Sequence, residues 1–247
     1  MILSSVAVIA DVHGVLPALD AVLAEPDVVA AERIVALGDV AAGPEPGAVL
    51  DRLMALGDRV VWIMGNADRE MVEYRSGARQ QLADPISGWA ARQLSHRHLA
   101  RLASQPRAAT IAVAGLGRLL FCHATPGSDE EVVLVDAAPA RWATLLGLLP
   151  AAIDGVVCGH THMPFARLAA GRLVVNPGSI GMPYGRPGAH WAMLGPGVEL
   201  RRTLFDVEAA CAALLARCGF ADIGRWADEA LRTPPSDVEA MAGLAAG

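Results

Sequence analysis

The chain has 247 residues, of which 53% are hydrophobic, so it is long enough for one large domain with a small appendage. Its formal net charge of -6 argues against nonspecific nucleic-acid binding, which requires concentrated positive charge. We see no signal peptide and no apolar run that could span a membrane. The four cysteines show no paired spacing, and we therefore expect a cytoplasmic protein that does not bind membranes.

The first part of the chain alternates between short apolar runs and amphipathic segments. Strands are predicted at residues 4–10, 33–37 and 59–64, with helices at 15–24 and 46–56 between them. Right-handed crossovers would make these strands parallel. This βαβαβ pattern predicts an α/β fold in which ligands gather beyond the carboxyl ends of the strands.

A helical insertion is predicted at about residues 68–105, as either a partial lid or a packed helical excursion. Beyond it, hairpins are predicted at 107–122, 164–175 and 190–203, with a helix at 138–149. Their antiparallel connections predict that the second half of the sheet is mixed.

The chain is predicted to divide into a main domain at residues 1–205 and a C-terminal helical appendage at 206–247. The helical pattern that begins after Asp206 continues to about Leu231, and two prolines then interrupt it. We therefore expect the chain to close with a short, frayed tail.

Residues of the types that bind metals follow five of the apolar runs. They occur as Asp11-Val12-His13, Gly38-Asp39, Gly65-Asn66, His123 and Gly159-His160-Thr161-His162. Any one of these has an ordinary explanation as a turn or a core residue, but the ordered set does not. Seven oxygen and nitrogen ligands exceed the needs of one tetrahedral metal. We therefore expect two divalent ions, drawn from Mn, Fe, Zn, Ni and Co rather than Mg or Ca.

This ordered pattern resembles that of the calcineurin-like metallophosphoesterase superfamily, in its compact prokaryotic branch, over about residues 4–204. The resemblance implies a four-layer α/β/β/α sandwich of mixed β-sheets with a dinuclear metal site at the strand ends. It also implies the ligands of each ion: Asp11, His13 and His162 for the first, Asn66, His123 and His160 for the second, and Asp39 as the bridge between them.

The resemblance further implies a phosphoesterase that hydrolyses phosphodiester, phosphoanhydride (such as dinucleoside polyphosphate) or activated phosphomonoester bonds by a metal-bound hydroxide. The expected catalytic residues are Asn66, Asp68 and His123, with Asp68 orienting a ligand histidine or a water. Arg69 and Arg186 are candidates for binding the phosphate of a small substrate such as a nucleotide. Two alternatives stay open, a serine/threonine protein phosphatase and a noncatalytic metal-binding scaffold with the same fold.

The chain departs from the family pattern at Ala67, where many relatives have a histidine near the leaving group. A phosphate leaving group, with a second pKa of about 6, needs less protonation than an alkoxide, whose conjugate acid approaches the pKa of water at about 15.7. We therefore expect anhydrides and esters of acidic leaving groups to be cleaved better than alkyl phosphomonoesters. His96, His98 and His190 are the remaining histidines that could replace the missing one.

Overall fold

The computed structural model describes residues 1–245, and its strands form two sheets. In chain order the strands are β1 (Ile2–Leu3), β2 (Val6–Ile9), β3 (Arg33–Ala36), β4 (Val60–Trp62), β5 (Ala108–Val113), β6 (Gly117–Cys122), β7 (Gly155–Val157), β8 (Phe165–Ala169), β9 (Arg172–Asn176), β10 (Ala189–Leu194) and β11 (Val198–Thr203).

The α-helices lie between and after these strands, and five of them have a proline in the first turn, where no backbone N–H is needed. They are α1 (Leu16–Leu23), α2 (Pro26–Ala30), α3 (Pro46–Met54), α4 (Asn66–Ser76), α5 (Pro85–Gln93), α6 (His96–Ala103), α7 (Pro139–Gly147), α8 (Val207–Arg217), α9 (Ile223–Ala227) and α10 (Asp237–Ala245). Two single turns accompany them, a 3-10 turn at Gly57–Arg59 and a π-helical turn at Asp228–Arg232.

One sheet has five strands in the order β11-β10-β2-β3-β4. Its strands β2, β3 and β4 are parallel, which confirms the predicted βαβαβ start, and β10 joins them antiparallel to β2. The other sheet has six strands in the order β1-β5-β6-β7-β9-β8 and mixes parallel with antiparallel pairs. The three predicted hairpins are the pairs β5 with β6, β8 with β9, and β10 with β11.

Three clusters of buried apolar side chains define a stack of four layers. Val8 and Phe121 belong to the cluster between the two sheets. The neighbouring Ile9 points to the opposite face, as strand geometry requires, and packs with helical residues from α1 to α6. Trp142 of α7 covers the outer face of the six-stranded sheet. The predicted α/β/β/α class with mixed sheets is confirmed.

The C-terminal part is helical, but its end differs from the sequence prediction. Residues after Pro235 form α10 rather than a short frayed tail. Ser236 and Glu239 explain the difference, because each accepts a hydrogen bond from the backbone N–H of the other and so caps the helix start. Cys211 and Leu214 of α8 belong to the same apolar cluster as α1 and α3, while the division at residue 205 stays a prediction.

The predicted insertion forms α4, α5 and α6, and its apolar residues pack into the same helical layer, as in a packed excursion. Cys122 and Cys158 are buried, and burial raises the pKa of Cys158 to about 12. Within residues 1–245, no helix has both the length and the apolar character needed to span a bilayer.

Candidate metal centre

Each predicted ligand follows the carboxyl end of a strand or lies in the loop that leaves it. Asp11 and His13 follow β2, Asp39 follows β3, and Asn66 begins α4 just after β4. On the six-stranded sheet, the ligands follow β6 and β7: His123, His160 and His162. The facing sheets thus direct all seven side chains to one edge of the sandwich.

Five of the seven ligands have a left-handed backbone conformation. The φ angles are 53° at Asp11, 46° at His13, 51° at Asp39, 68° at His160 and 58° at His162. Such conformations cost about 1–3 kcal/mol each and gather at functional sites, although Asp and His tolerate them better than most residues. Backbone hydrogen bonds between the loops stabilise these conformations. One of them runs from the His13 N–H to the Asp39 carbonyl at 2.9 Å.

We call Asp11, His13 and His162 the first cluster, because their ligand atoms lie within 4.8 Å of one another. His13 Nε2 lies 3.2 Å from His162 Nε2, which in turn lies 3.5 Å from Asp11 Oδ1. This Asp11 oxygen is buried and has no hydrogen-bond partner among the described residues. A buried carboxylate oxygen without a donor is the arrangement that a cation would satisfy.

Backbone carbonyls fix the ring orientations of the two histidines in the first cluster. His13 Nδ1 lies 3.1 Å from the Ala42 carbonyl, and His162 Nδ1 lies 2.8 Å from the Met182 carbonyl. Both Nδ1 atoms therefore donate, which leaves a lone pair on each Nε2 when the rings are neutral. Burial lowers the pKa of His162, but Asp11 outweighs it and raises this pKa, which favours a proton on the His162 Nε2 atom. Two lone pairs 3.2 Å apart repel each other unless a proton or a metal ion lies between them.

We call Asp39, His123 and His160 the second cluster. His123 Nδ1 donates to the Leu37 carbonyl at 2.6 Å, and its Nε2 lies 3.3 Å from Asp39 Oδ2. His160 is turned the other way, because its Nε2 donates to the Glu130 carbonyl at 3.0 Å. The His160 Nδ1 atom therefore remains free to bind an ion.

The side-chain amide of Asn66 completes the second cluster. One of its terminal atoms lies 3.0 Å from His123 Nε2 and 3.2 Å from His160 Nδ1. Without a cation this atom is best the amide nitrogen, which can donate to the neutral His160 ring and to the Asp129 carbonyl at 3.3 Å. With a cation it is best the oxygen, which is the metal ligand of an amide. Six of the predicted ligands thus form the two clusters, and the seventh contacts the second cluster.

The charges in the two clusters are coupled. Burial raises the pKa of Asp39, but the neighbouring His123 outweighs it and holds this pKa below its usual range. Burial lowers the pKa of His123, whereas Asp39 raises it to about 10. Burial also lowers the pKa of His13 and of His160, so these two rings are neutral and can donate a lone pair.

Asp68 and the two predicted phosphate-binding arginines lie around the clusters. The buried Asp68 carboxylate accepts hydrogen bonds from the Val40 and Ala41 amides, both at 3.1 Å, rather than contacting a ligand histidine. Burial and the charge of Asp39 raise the pKa of Asp68 to about 7. Asp68 therefore fixes the loop that follows Asp39.

Arg69 is surrounded by carboxylates, whereas Arg186 is exposed. Arg69 pairs with Asp129 at 2.7 Å, with Glu73 at 2.9 Å and also with Glu130. Arg186 lies on the turn after β9, and its side chain lines a cleft. Binding of phosphate by either arginine stays a prediction.

Three further residues shape the first cluster. Tyr184 stacks on His162, with ring centroids 5.2 Å apart. Ser179 Oγ donates to the Asp11 carbonyl at 2.7 Å, and Asn176 Nδ2 donates to the Gly159 carbonyl at 2.7 Å. The last two belong to an Asn-Pro-Gly-Ser sequence, which is a typical turn pattern and is the signal in the sequence that points to them.

The sandwich and its two Asp/His clusters define a metallophosphoesterase fold. The model of the calcineurin-like phosphoesterase superfamily domain matches residues 5–195, and the chain belongs to this superfamily. The clusters could bind the two metal ions on which this family depends. The unpartnered Asp11 oxygen and the facing imidazole lone pairs fit such ions.

Three known proteins illustrate the similarity. An uncharacterized protein of Methanocaldococcus jannaschii is 27% identical over 213 residues, which cover 74% of this chain and 79% of that protein. A metallophosphoesterase from Sphaerobacter thermophilus has a TM-score of 0.68 and 24% identity, covering 86% of this chain and 93% of its own. A hypothetical protein from Pyrococcus horikoshii OT3 has a TM-score of 0.76 and 18% identity, and the match covers 90% of this chain and 96% of that protein. The two solved structures show the same fold.

Proposed function

We propose that this protein is a phosphoesterase that depends on two divalent metal ions and hydrolyses phosphodiesters, phosphoanhydrides or activated phosphomonoesters. The observation that supports this most is the geometry of the first cluster. Its two imidazoles direct Nε2 atoms at each other across 3.2 Å, beside an Asp11 oxygen without a donor. Membership of a phosphoesterase superfamily makes hydrolysis the reaction that fits these groups.

Each residue of the site has a separate role in the proposed reaction. Bound divalent ions would activate water and neutralise the charge of the phosphoryl group. The buried carboxylates Asp11 and Asp39 supply the negative charge that attracts such ions. Asn66 is the first residue of the 11-residue helix α4, where the helix dipole favours a phosphate oxygen. Asp68, through its bonds to the loop after Asp39, keeps that carboxylate in place.

The contacts around Ala67 support a preference for leaving groups that need no proton. The Ala67 N–H donates to Asp39 Oδ1 at 2.9 Å, while its methyl group can donate nothing. The other three histidines make different contacts. His98 contacts Asp51, His190 contacts the Arg186 carbonyl, and His96 is exposed at the start of α6. We therefore propose phosphoanhydrides, such as dinucleoside polyphosphates, as the preferred substrates.

Steady-state kinetics test this preference. The value of kcat/KM for a diadenosine polyphosphate should exceed that for an alkyl phosphomonoester by at least about 100-fold, because the alkoxide leaves without help from an acid. An Ala67→His variant should reduce this difference by increasing activity on the alkyl ester. A wild-type preference for the alkyl ester would contradict the proposal.

Two ligand substitutions test the dependence on both clusters. Asp39→Asn and His160→Asn keep residue types that tolerate a left-handed backbone, so the fold is preserved while a ligand is changed. With added Mn²⁺ and bis-nitrophenyl phosphate, each should lose at least about 100-fold in kcat, because a metal ion contributes several kcal/mol. The exposed Asp58→Asn and His96→Asn serve as matched controls. A metal-loaded wild type that is inert on monoesters, diesters and anhydrides would favour a binding scaffold instead.

A further inference from the structure

A cleft of about 400 Å³ lies beside the first cluster, and Tyr184 connects the two. The Tyr184 ring stacks on His162 with an angle of 26° between the planes, and the same residue lines the cleft. Helix α10 contributes Asp237 and Met241 to the cleft wall. The cleft therefore begins at a ring that touches a candidate metal ligand.

The turn that carries Tyr184 is fixed on both sides. Before it, the Gly181 N–H donates to the Asp11 carbonyl at 3.0 Å, and the Met182 N–H donates to Ser179 Oγ at 2.8 Å. After it, the Gly185 N–H donates to the Pro235 carbonyl at 2.9 Å, which joins the turn to the segment before α10. The Tyr184 ring is thus pre-organised for binding, because its backbone loses little freedom when a ligand arrives.

The walls of the cleft combine apolar surface with few polar groups. The apolar side chains are Val135, Met163, Pro164 and Met241. Arg186 and Asp237 add one charge of each sign, and burial lowers the pKa of His190 so that this ring is neutral. A second anion would gain little here, since the two charges balance.

These features suit a planar, uncharged group that carries hydrogen-bonding atoms. A purine or pyrimidine ring can stack on an aromatic side chain and on a guanidinium group. An alkyl chain would form no hydrogen bonds with Arg186 and Asp237, and a sugar alone would gain little from the methionine and valine side chains. The volume lies within the range of small-ligand pockets, about 300–1,000 Å³.

We propose that this cleft binds the nucleoside part of a nucleotide substrate, while the phosphate lies at the two clusters. This inference rests on the proposed phosphoesterase function and narrows its substrate to nucleotides. Helix α10 then contributes directly to substrate choice through Met241 and Asp237.

Calorimetric binding of adenosine to the metal-loaded, full-length protein tests the cleft without turnover, because adenosine contains no phosphoester. Ribose is the matched ligand without a base, and inorganic phosphate is the matched ligand without a nucleoside. Met241→Trp fills the cleft from α10. Val238→Trp adds the same side chain on the same helix at a position that is 71% exposed, and is the control.

The wild type and Val238→Trp should bind adenosine equally and more tightly than ribose. Met241→Trp should weaken adenosine binding at least tenfold and change phosphate binding less than twofold. The exposed Arg186→Ala, which leaves the core intact, should weaken adenosine binding at least threefold and provides the test if Met241→Trp does not fold.

Equal binding of adenosine and ribose by the wild type would overturn the inference, as would unchanged adenosine binding by a folded Met241→Trp. Failure of the phosphoesterase function would be seen separately, as no hydrolysis product (phosphate, alcohol or mononucleotide) from any ester or anhydride with the wild type.

Discussion

The two clusters contain the same types of side chain but are held by different parts of the fold. The first is fixed by core backbone, since carbonyls of the Ala42 loop and of the turn after β9 accept hydrogen bonds from its histidines. The second depends on a surface loop, because His160 donates to the Glu130 carbonyl and Arg69 holds that loop through Asp129 and Glu130. Because only the second cluster has a histidine held by a surface loop, we expect it to be loosened by smaller changes than the first cluster.

The largest expected effect is stabilisation by metal ions. Divalent ions at about 100 times their Kd should add about 2.7 kcal/mol per site to the free energy of unfolding, and about 5 kcal/mol for two independent sites. His13→Asn and His160→Asn should each keep about half of this increase. Denaturant unfolding with Mn²⁺ or with a chelator measures it. Loss of the whole increase in either variant would show that the clusters bind one ion together.

A smaller effect is expected from Gly65→Ala, which affects the loop of the second cluster. A Cβ atom at this position would lie 2.2 Å from Asp39 Oδ1 and 2.3 Å from the Asp39 nitrogen. We expect a loss of about 3 kcal/mol in the free energy of unfolding. The control is Gly171→Ala, where φ is +76° but no atom lies within 4 Å, and about 1 kcal/mol is expected. Equal losses would contradict the close approach of the loops.

Arg69→Ala should weaken ion binding at the second cluster about tenfold, because the loop that orients His160 is released. Binding at the first cluster should remain unchanged. Arg79→Ala is the control, because Arg79 pairs with Glu70 and Glu73 of α4 and not with the loop that contains Glu130. Calorimetry that resolves two binding steps measures both affinities. An equal decrease at both steps would remove the proposed difference between the clusters.

Ser179→Ala should have the smallest effect on ion binding. It removes a bond to the Asp11 carbonyl and a bond from the Met182 N–H, which together should cost about 2 kcal/mol of stability. The Gly181 N–H still donates to the same carbonyl, so ion affinity at the first cluster should fall less than threefold. The exposed Ser104→Ala is the control. A tenfold loss of affinity would show that the first cluster also depends on single side chains.

Local patterns in the sequence predicted an α/β fold and candidate ligands at one edge of the sheet, whereas the resemblance to the superfamily implied the four-layer sandwich. Short apolar runs indicated buried strands, and residues such as Asp11 and His160 came directly after them. Parallel strands place their carboxyl ends at one edge, so residues more than 100 positions apart could be assigned to one site.

Other features depend on contacts between distant segments and could not be predicted. The left-handed backbone at Asp39 is held by bonds from the neighbouring loop, which no local pattern reveals. The ion pairs of Arg69 were also not predictable, because Asp129 and Glu130 lie 60 and 61 residues away along the chain. Helix α10, in contrast, could have been predicted, because Ser236 and Glu239 have the spacing of a helix cap. The two preceding prolines instead favoured the prediction of a tail without a helix.

The central claim is that the two clusters bind two metal ions. Anomalous scattering from crystals of Mn²⁺-loaded protein tests it most directly. The predicted result is two peaks, one among Asp11, His13 and His162, and one among the second cluster with Asn66. No peak at these side chains, or one peak only at saturating Mn²⁺, would contradict the claim.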